Sequence, residues 1–211
     1  MIGLSWSGRC VRVRQYRTLP AVARPSAPKA SQGDTEQSGR GSVDTMGKDI
    51  PDVLGLLCLC GARSGGQSQF ISAYALHNDL LERNPDELRT LYQPFYFDRR
   101  GQQEEGEPPY LSAPVFRWDG HELHTRYLLY YVRVGHERAG QALTADQQRA
   151  IQAVEERLER PDLRVEFTLE PGQMIFFNNH WLLHNRTAFE DFPEIERRRH
   201  MVRLWLKQRG T

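Results

Sequence analysis

The sequence predicts a β-sandwich or open barrel with α-helices inserted between its strands. Three observations carry this: short apolar runs of strand length recur, turn residues separate them, and capped amphipathic helical patterns interrupt the series. No internal repeat is present.

Residues 1–42 stand apart. They carry Arg9, Arg12, Arg14, Arg17 and Arg24 with no acidic residue before Asp34, and Ser, Gly, Pro and Gln then dominate through Gly41. Neither a strand nor a helix period persists there, so the segment reads as a disordered or foreign N-terminal tail, with residues 43–208 as the structured domain. An Arg-rich, acid-poor stretch also describes a mitochondrial presequence, although the amphipathic helix this needs is hard to draw across Arg14 to Pro25.

The continuous apolar run Val53 to Leu59 suits a strand buried on both faces. Arg63-Ser64-Gly65-Gly66 reads as a turn, and Ser68 to Ile71 as a short strand. Ser72 is placed to cap a helix in which Ala75, Leu76, Leu80 and Leu81 share a face. Pro85 starts a second short helix reaching about Tyr92, and Gly101 to Pro109 is a surface loop. Leu128 to Val134 reads as a strand. Thr144-Ala145-Asp146-Gln147 is a capping box opening a helix whose Ile151, Val154 and Leu158 face one way, and Pro161 ends it. Strands follow at Val165 to Leu169 and Met174 to Phe177, joined by the turn Glu170-Pro171-Gly172-Gln173, and a last strand runs from about Arg199 to Lys207.

The bulk numbers exclude several classes of function. With 28 basic against 27 acidic residues the net charge is +1, which makes no general case for nucleic acid or an anionic membrane surface. No stretch approaches the roughly 18 apolar residues of a membrane span. Cys10, Cys58 and Cys60 form neither a zinc pattern nor an even disulfide set, so they read as reduced thiols of a cytoplasmic protein.

The chemistry sits near the C-terminus. Pro171-Gly172 leads through an apolar strand to Asn178-Asn179, and then His180-Trp181-Leu182-Leu183 delivers His184, followed by Asn185-Arg186-Thr187-Ala188-Phe189. Imidazole is a favoured ligand of ferrous iron, and apolar flanks hold it in place; an isolated histidine is far more often one satisfied by a backbone hydrogen bond. In the last strand, alternation puts Arg199, Met201, Arg203 and Trp205 on one face. Two arginines on a core-like face ask for anions, and their planar forks suit a dicarboxylate. The other reading is an edge strand whose arginines face water.

Taken together, the Asn178-Asn179, His184-Asn185-Arg186-Thr187, Phe189 and Arg199 to Leu206 pattern resembles the C-terminal signature of the TauD/TfdA dioxygenases. The resemblance covers about residues 44 to 207 and is most specific in its last forty or so. It implies a double-stranded β-helix (jelly-roll-like, clavaminate synthase-like), incomplete at the N-terminus. It also implies iron(II) held by two histidines and one carboxylate, with 2-oxoglutarate as co-substrate. On this likeness His184 is the distal histidine ligand and Arg199 grips the far carboxylate of 2-oxoglutarate. Arg203 faces the co-substrate or an anionic substrate, and Ser68, after Gly65-Gly66-Gln67, is a hydroxyl partner of 2-oxoglutarate. Asp44 takes the place of the carboxylate ligand, and Ser42 stands where the proximal histidine belongs, since no histidine precedes His77. Four other histidines could in principle compensate, His77 on a helix and His121, His124 and His136 in or beside loops, but none is expected to complete the metal site.

The implied activity is oxidation of a small organic substrate with release of succinate and CO2, with no nucleic-acid or membrane partner. The loss of the histidine alongside an unfamiliar first 42 residues points to a truncated or altered N-terminal part. The alternatives are an inactive 2-oxoglutarate-binding module and a fragment without function.

Overall fold

A computed structural model describes residues 51–207; the segment read as a tail, together with Cys10, Ser42 and Asp44, lies outside the described residues. Along the chain come β1 (Val53–Cys60), β2 (Ser64–Gly65), β3 (Ser68–Ser72), α1 (Ala73–Arg83), α2 (Pro85–Leu91) and β4 (Pro94–Asp98). They are followed by β5 (Tyr110–Pro114), β6 (Phe116–Trp118), β7 (Leu123–Thr125), α3 (Leu129–Arg138) and α4 (Ala145–Leu158). The chain closes with β8 (Arg164–Phe167), β9 (Met174–Asn178), β10 (Leu182–Arg186), β11 (Phe189–Glu190) and β12 (His200–Leu206).

Two three-stranded antiparallel sheets position His184, Ser68 and Arg203. One has the order β12-β1-β9 and the other β10-β3-β8. Register decides which side chains face which way. Leu54 lies opposite both Trp205 and Phe177, Leu56 opposite Arg203 and Ile175, and Cys58 opposite Met201, so this set shares one face of the first sheet. In the second sheet His184 lies opposite Phe70 and Arg186 opposite Ser68. Phe70 packs with Leu54 and Phe177 in a small core, its ring 4.8 Å from that of Phe177. The two faces therefore meet, and the space between them receives His184.

The far face of the second sheet carries Ile71 and Leu183, which join the main core. The helices and the β4–β5 hairpin build that core with Leu76, Leu80, Leu88, Leu91, Phe95, Val132 and Val154. Ser72 caps α1 by accepting from the Ala75 N–H, and Thr144 and Gln147 form the capping box that the sequence predicts for α4. On α1 the buried set is Ala73, Leu76 and Leu80; Leu81, expected on that face, is 56% exposed, because the helix starts two residues before Ala75 and its inward stripe runs through Ala73.

The largest correction concerns Leu128 to Val134, which is not a strand. Residues Leu129–Arg138 form α3, with Val132, Gly135 and His136 buried at helical spacing. A short apolar run is ambiguous between the two periods, and here packing against β4 decides. Gly135 is what allows that packing: a Cβ at this position would lie 2.4 Å from the Tyr96 carbonyl oxygen. Replacing Gly135 with Ala should therefore destabilise the protein by about 2–3 kcal/mol despite the gain in helix propensity. Urea unfolding monitored by circular dichroism measures this, and a stabilised variant would show that α3 does not sit against β4.

Smaller differences follow from long-range pairing. Ser64–Gly65, read as a turn, also pairs with β11, and β8 ends at Phe167 rather than Leu169. The first sheet has β12 at its edge, and Trp205 is 45% exposed, so this strand is not core-like. The expected alternation holds in the register for Met201, Arg203 and Trp205, whereas Arg199 lies just before the strand. Cys58 is buried, and neither Cys58 nor Cys60 forms a disulfide. No helix among the described residues is long and apolar enough to cross a membrane.

Candidate active site between the sheets

Strand β10 projects alternate residues to opposite sides. Leu183 enters the helical core, while Leu182, His184 and Arg186 face the first sheet. The His184 side of this strand is dry: the residue is 9% exposed, with its ring centroid 5.1 Å from Phe177 and 6.3 Å from Phe70. Ser68 is buried on the same face, directly across from Arg186.

The chain after β10 folds back over the Gly65-Gly66 turn. Gly66 N–H donates to the Ala188 carbonyl, Thr187 N–H donates to the Gln67 carbonyl, and the Thr187 hydroxyl accepts from Gln67 N–H at 3.0 Å. Gly65 has φ +69°, and a Cβ there would lie 2.1 Å from the Ala188 oxygen, so only glycine fits. Arg199 Nε packs at 3.3 Å from where a Gly66 Cβ would stand.

This fold-back gathers two guanidinium groups around one ring. Arg186 lies 4.4 Å from the Phe189 centroid and Arg199 5.3 Å from it. Asp191 fixes the Arg199 backbone by accepting its N–H at 2.8 Å. Burial lowers the pKa of Arg199, and the neighbouring Arg186 lowers it further, against Cys58 and Asp191. Burial also lowers the pKa of Arg186. Two half-desolvated cations held beside each other make a place where an anion gains charge-assisted hydrogen bonds.

Of the residues predicted from sequence, the structure brings His184 and Ser68 to one face and sets Arg199 against the adjoining Gly-Gly turn. Arg203 is exposed on the edge strand, opposite Leu56. Asp44 lies outside the described residues. Arg186 was not singled out as a site residue, although its spacing of two from His184 on a strand places it on the same face.

The other histidines have their own roles. His136 lies on α3 and not in a loop; its Nε2 accepts from Tyr96 N–H at 3.2 Å and its Nδ1 meets the Gln141 carbonyl at 2.9 Å. His124 lies on β7, beside Asp119 and Glu122 in an exposed turn. Asp119 there accepts the backbone N–H groups of Glu122 and His121, which with His124 hold its carboxyl well below the usual range.

Residues 22–205 match the family described as "Taurine catabolism dioxygenase TauD, TfdA family", a span that begins inside the segment read as a tail. The chain belongs to this family.

Among curated TauD/TfdA relatives, FR-33289 synthase of Streptomyces rubellomurinus is 33% identical over 161 residues, covering 75% of this chain and 48% of its own length. A uridine-5'-phosphate dioxygenase of Amycolatopsis sp. is 30% identical over 164 residues, with 76% and 58% covered. The chain thus spans about half the length of the curated relatives it matches. Among solved structures, asparagine oxygenase with Fe(II), hydroxyasparagine and succinate has a TM-score of 0.62 at 19% identity, covering 83% of this chain and 54% of that one. The non-heme iron oxygenase OrfP has a TM-score of 0.61 at 16% identity, covering 82% of this chain and 52% of that one. These likenesses show a β-rich fold shared with those chains.

The family's iron and 2-oxoglutarate fit this site unequally. The arginine pair and Ser68 suit a carboxylate. For iron the described residues offer one buried imidazole on this face: the single grouping of three ligand atoms among them is Asp119, Glu122 and His124, which excludes His184.

Proposed function

We propose that the chain is the C-terminal catalytic portion of an iron(II)- and 2-oxoglutarate-dependent dioxygenase with a double-stranded β-helix fold. Bound iron with 2-oxoglutarate and oxygen would supply the oxidising chemistry, with release of succinate and CO2. In this reading His184 and Asp44 are metal ligands, and Arg199, assisted by Ser68, holds the far carboxylate of 2-oxoglutarate. Arg186, beside the same Phe189 ring, adds positive charge to the same end of the site, and Arg203 faces the co-substrate or an anionic substrate. The observation that carries the proposal is the common face of Ser68, His184 and Arg186, with Arg199 packed against the adjoining turn.

The substrate proposed is a small anionic metabolite, in keeping with a relative named for uridine-5'-phosphate. A second reading, an inactive 2-oxoglutarate-binding module, is favoured by one observation: Ser42 stands two residues before Asp44, and no histidine occurs before His77. Both readings require the arginine end to bind. Calorimetric titration with 2-oxoglutarate should show Arg199→Gln losing at least tenfold in affinity, about 1.4 kcal/mol, with its melting temperature unchanged. Equal affinity in the two proteins would remove 2-oxoglutarate from this site.

A further inference from the structure

Between β9 and β10 the chain leaves the first sheet for the second, and residues 179–181 make the corner. Each residue of this corner is bonded to a different part of the molecule. Asn179 N–H donates to the Asp52 carbonyl at 2.9 Å, and its side-chain Nδ2 donates to the Pro51 carbonyl at 3.1 Å. The His180 carbonyl accepts from Thr125 N–H at 2.7 Å, and the Trp181 carbonyl accepts from Ala73 N–H at 2.8 Å. His180 Nε2 meets Asp52 Oδ1 at 2.8 Å, and His180 N–H donates to Asn178 Oδ1 at 2.8 Å.

Asn179 is the innermost of these residues. It is 0% exposed, and Pro51 is buried beside it. One amide side chain and its own backbone thus hold two successive carbonyls where water does not replace them, so a lost bond there leaves a buried acceptor unsatisfied. Asp52 N–H in turn donates to the Leu206 carbonyl at 3.0 Å, which fixes the entry to β1 between the ends of β9 and β12.

His184 follows Asn179 by five residues, at most about 17 Å of extended chain. His180 and Trp181 carry their own bonds along that path, and Leu182 is already paired with Ser72. A displacement at Asn179 is therefore passed on to His184 and not absorbed in between. Asp44 precedes Pro51 by seven residues. The chain that continues from Asp44 and the chain that continues to His184 are bonded to each other at this corner.

We propose that Asn179, together with the Asp52–His180 pair, is a positioning residue for His184, setting where its imidazole meets a metal between the sheets. The metal-directed part of this role rests on the reading of His184 as a ligand; the hold of Asn179 on β10 does not.

The test is a cobalt(II) titration of the full chain in its Ser42→His form, followed by the visible bands of the metal. The same titration is made with Asn179→Ser, with Asp52→Ala, and with Gly135→Ala as a control that lowers stability away from the corner. At a temperature where circular dichroism shows each protein folded, Asn179→Ser and Asp52→Ala should bind at least about tenfold more weakly, the scale set by losing an outer partner of a metal ligand. Their bands should also change, while Gly135→Ala binds as its parent does. Asp52 is less buried than Asn179, so Asp52→Ala should fold even if Asn179→Ser does not. Unchanged affinity and bands in the folded corner variants would overturn the proposal, as would an equal loss in Gly135→Ala. Cobalt(II) binding to none of the proteins would instead remove the metal from His184. Amide hydrogen exchange without metal then decides the hold on β10: faster exchange in β10 than in α3 and α4 of the corner variants supports it, and uniform or unchanged exchange overturns it.

Discussion

Replacing Ser42 with histidine should raise the iron(II) affinity of the chain by at least about a hundredfold. In the proposed site, His184 supplies one nitrogen and Asp44 one oxygen, and a serine hydroxyl is a weak third donor where an imidazole belongs. Losing even an outer partner of a metal ligand costs about 10–100-fold in affinity, so restoring a direct ligand should do no less. Anaerobic titration of wild-type and Ser42→His proteins compares the two. Equal affinities would mean that another residue already fills this position, and the role given to Ser42 would be wrong.

The second large effect is on stability. Asp79, Arg157 and Arg160 join α1 to α4 through a mostly buried ion network. Arg157 Nε donates to Asp79 Oδ2 at 3.0 Å and Arg160 Nη1 to Oδ1 at 2.6 Å, and the Arg157 side chain is only 8% exposed. Arg157 also donates to the Ala153 carbonyl and to Asn84 Oδ1. Asp79→Ala would leave Arg157 buried without its carboxylate, a loss of about 3–5 kcal/mol. For a domain of this size that is a fall in melting temperature of about 6–20 °C. Asp79→Leu combined with Arg157→Met should recover much of it, because the buried charge goes as well.

The same network predicts an acid limit. Burial raises the pKa of Asp79, but the hydrogen bonds from Arg160 and Arg157 outweigh it and leave the carboxyl below its ordinary value. A depressed folded pKa contributes stability that is fully present above the unfolded value near 3.9 and is lost as pH falls through the folded one. Acid unfolding of the Asp79 variant should therefore be shallower than that of the wild type in this range.

Local chemistry was legible in the sequence and long-range pairing was not. The run through Leu54, the cap at Ser72 and the box at Thr144 declare themselves within a few residues, and each forms where it is expected. The helix α3 was hidden because Tyr130, Tyr131 and Val132 also suit a strand; its period emerges only through Gly135 and His136, which depend on β4. The β4–β5 hairpin spans an eleven-residue gap between Asp98 and Tyr110; its Gly- and Pro-bearing loop was legible, but the two strands it joins were not. At the site, His184 and Arg199 were legible as residue types at a spacing. That Arg186 shares the Phe189 ring with Arg199 follows only once β11 folds back on β2.

The most direct test of the account is the visible absorption of the iron(II)–2-oxoglutarate chelate, recorded anaerobically in Ser42→His and in the same protein carrying His184→Ala. A band that depends on both iron and 2-oxoglutarate is expected in Ser42→His, and its loss on removing His184. A band of undiminished strength in the protein without His184 would contradict the placement of the metal between the two sheets.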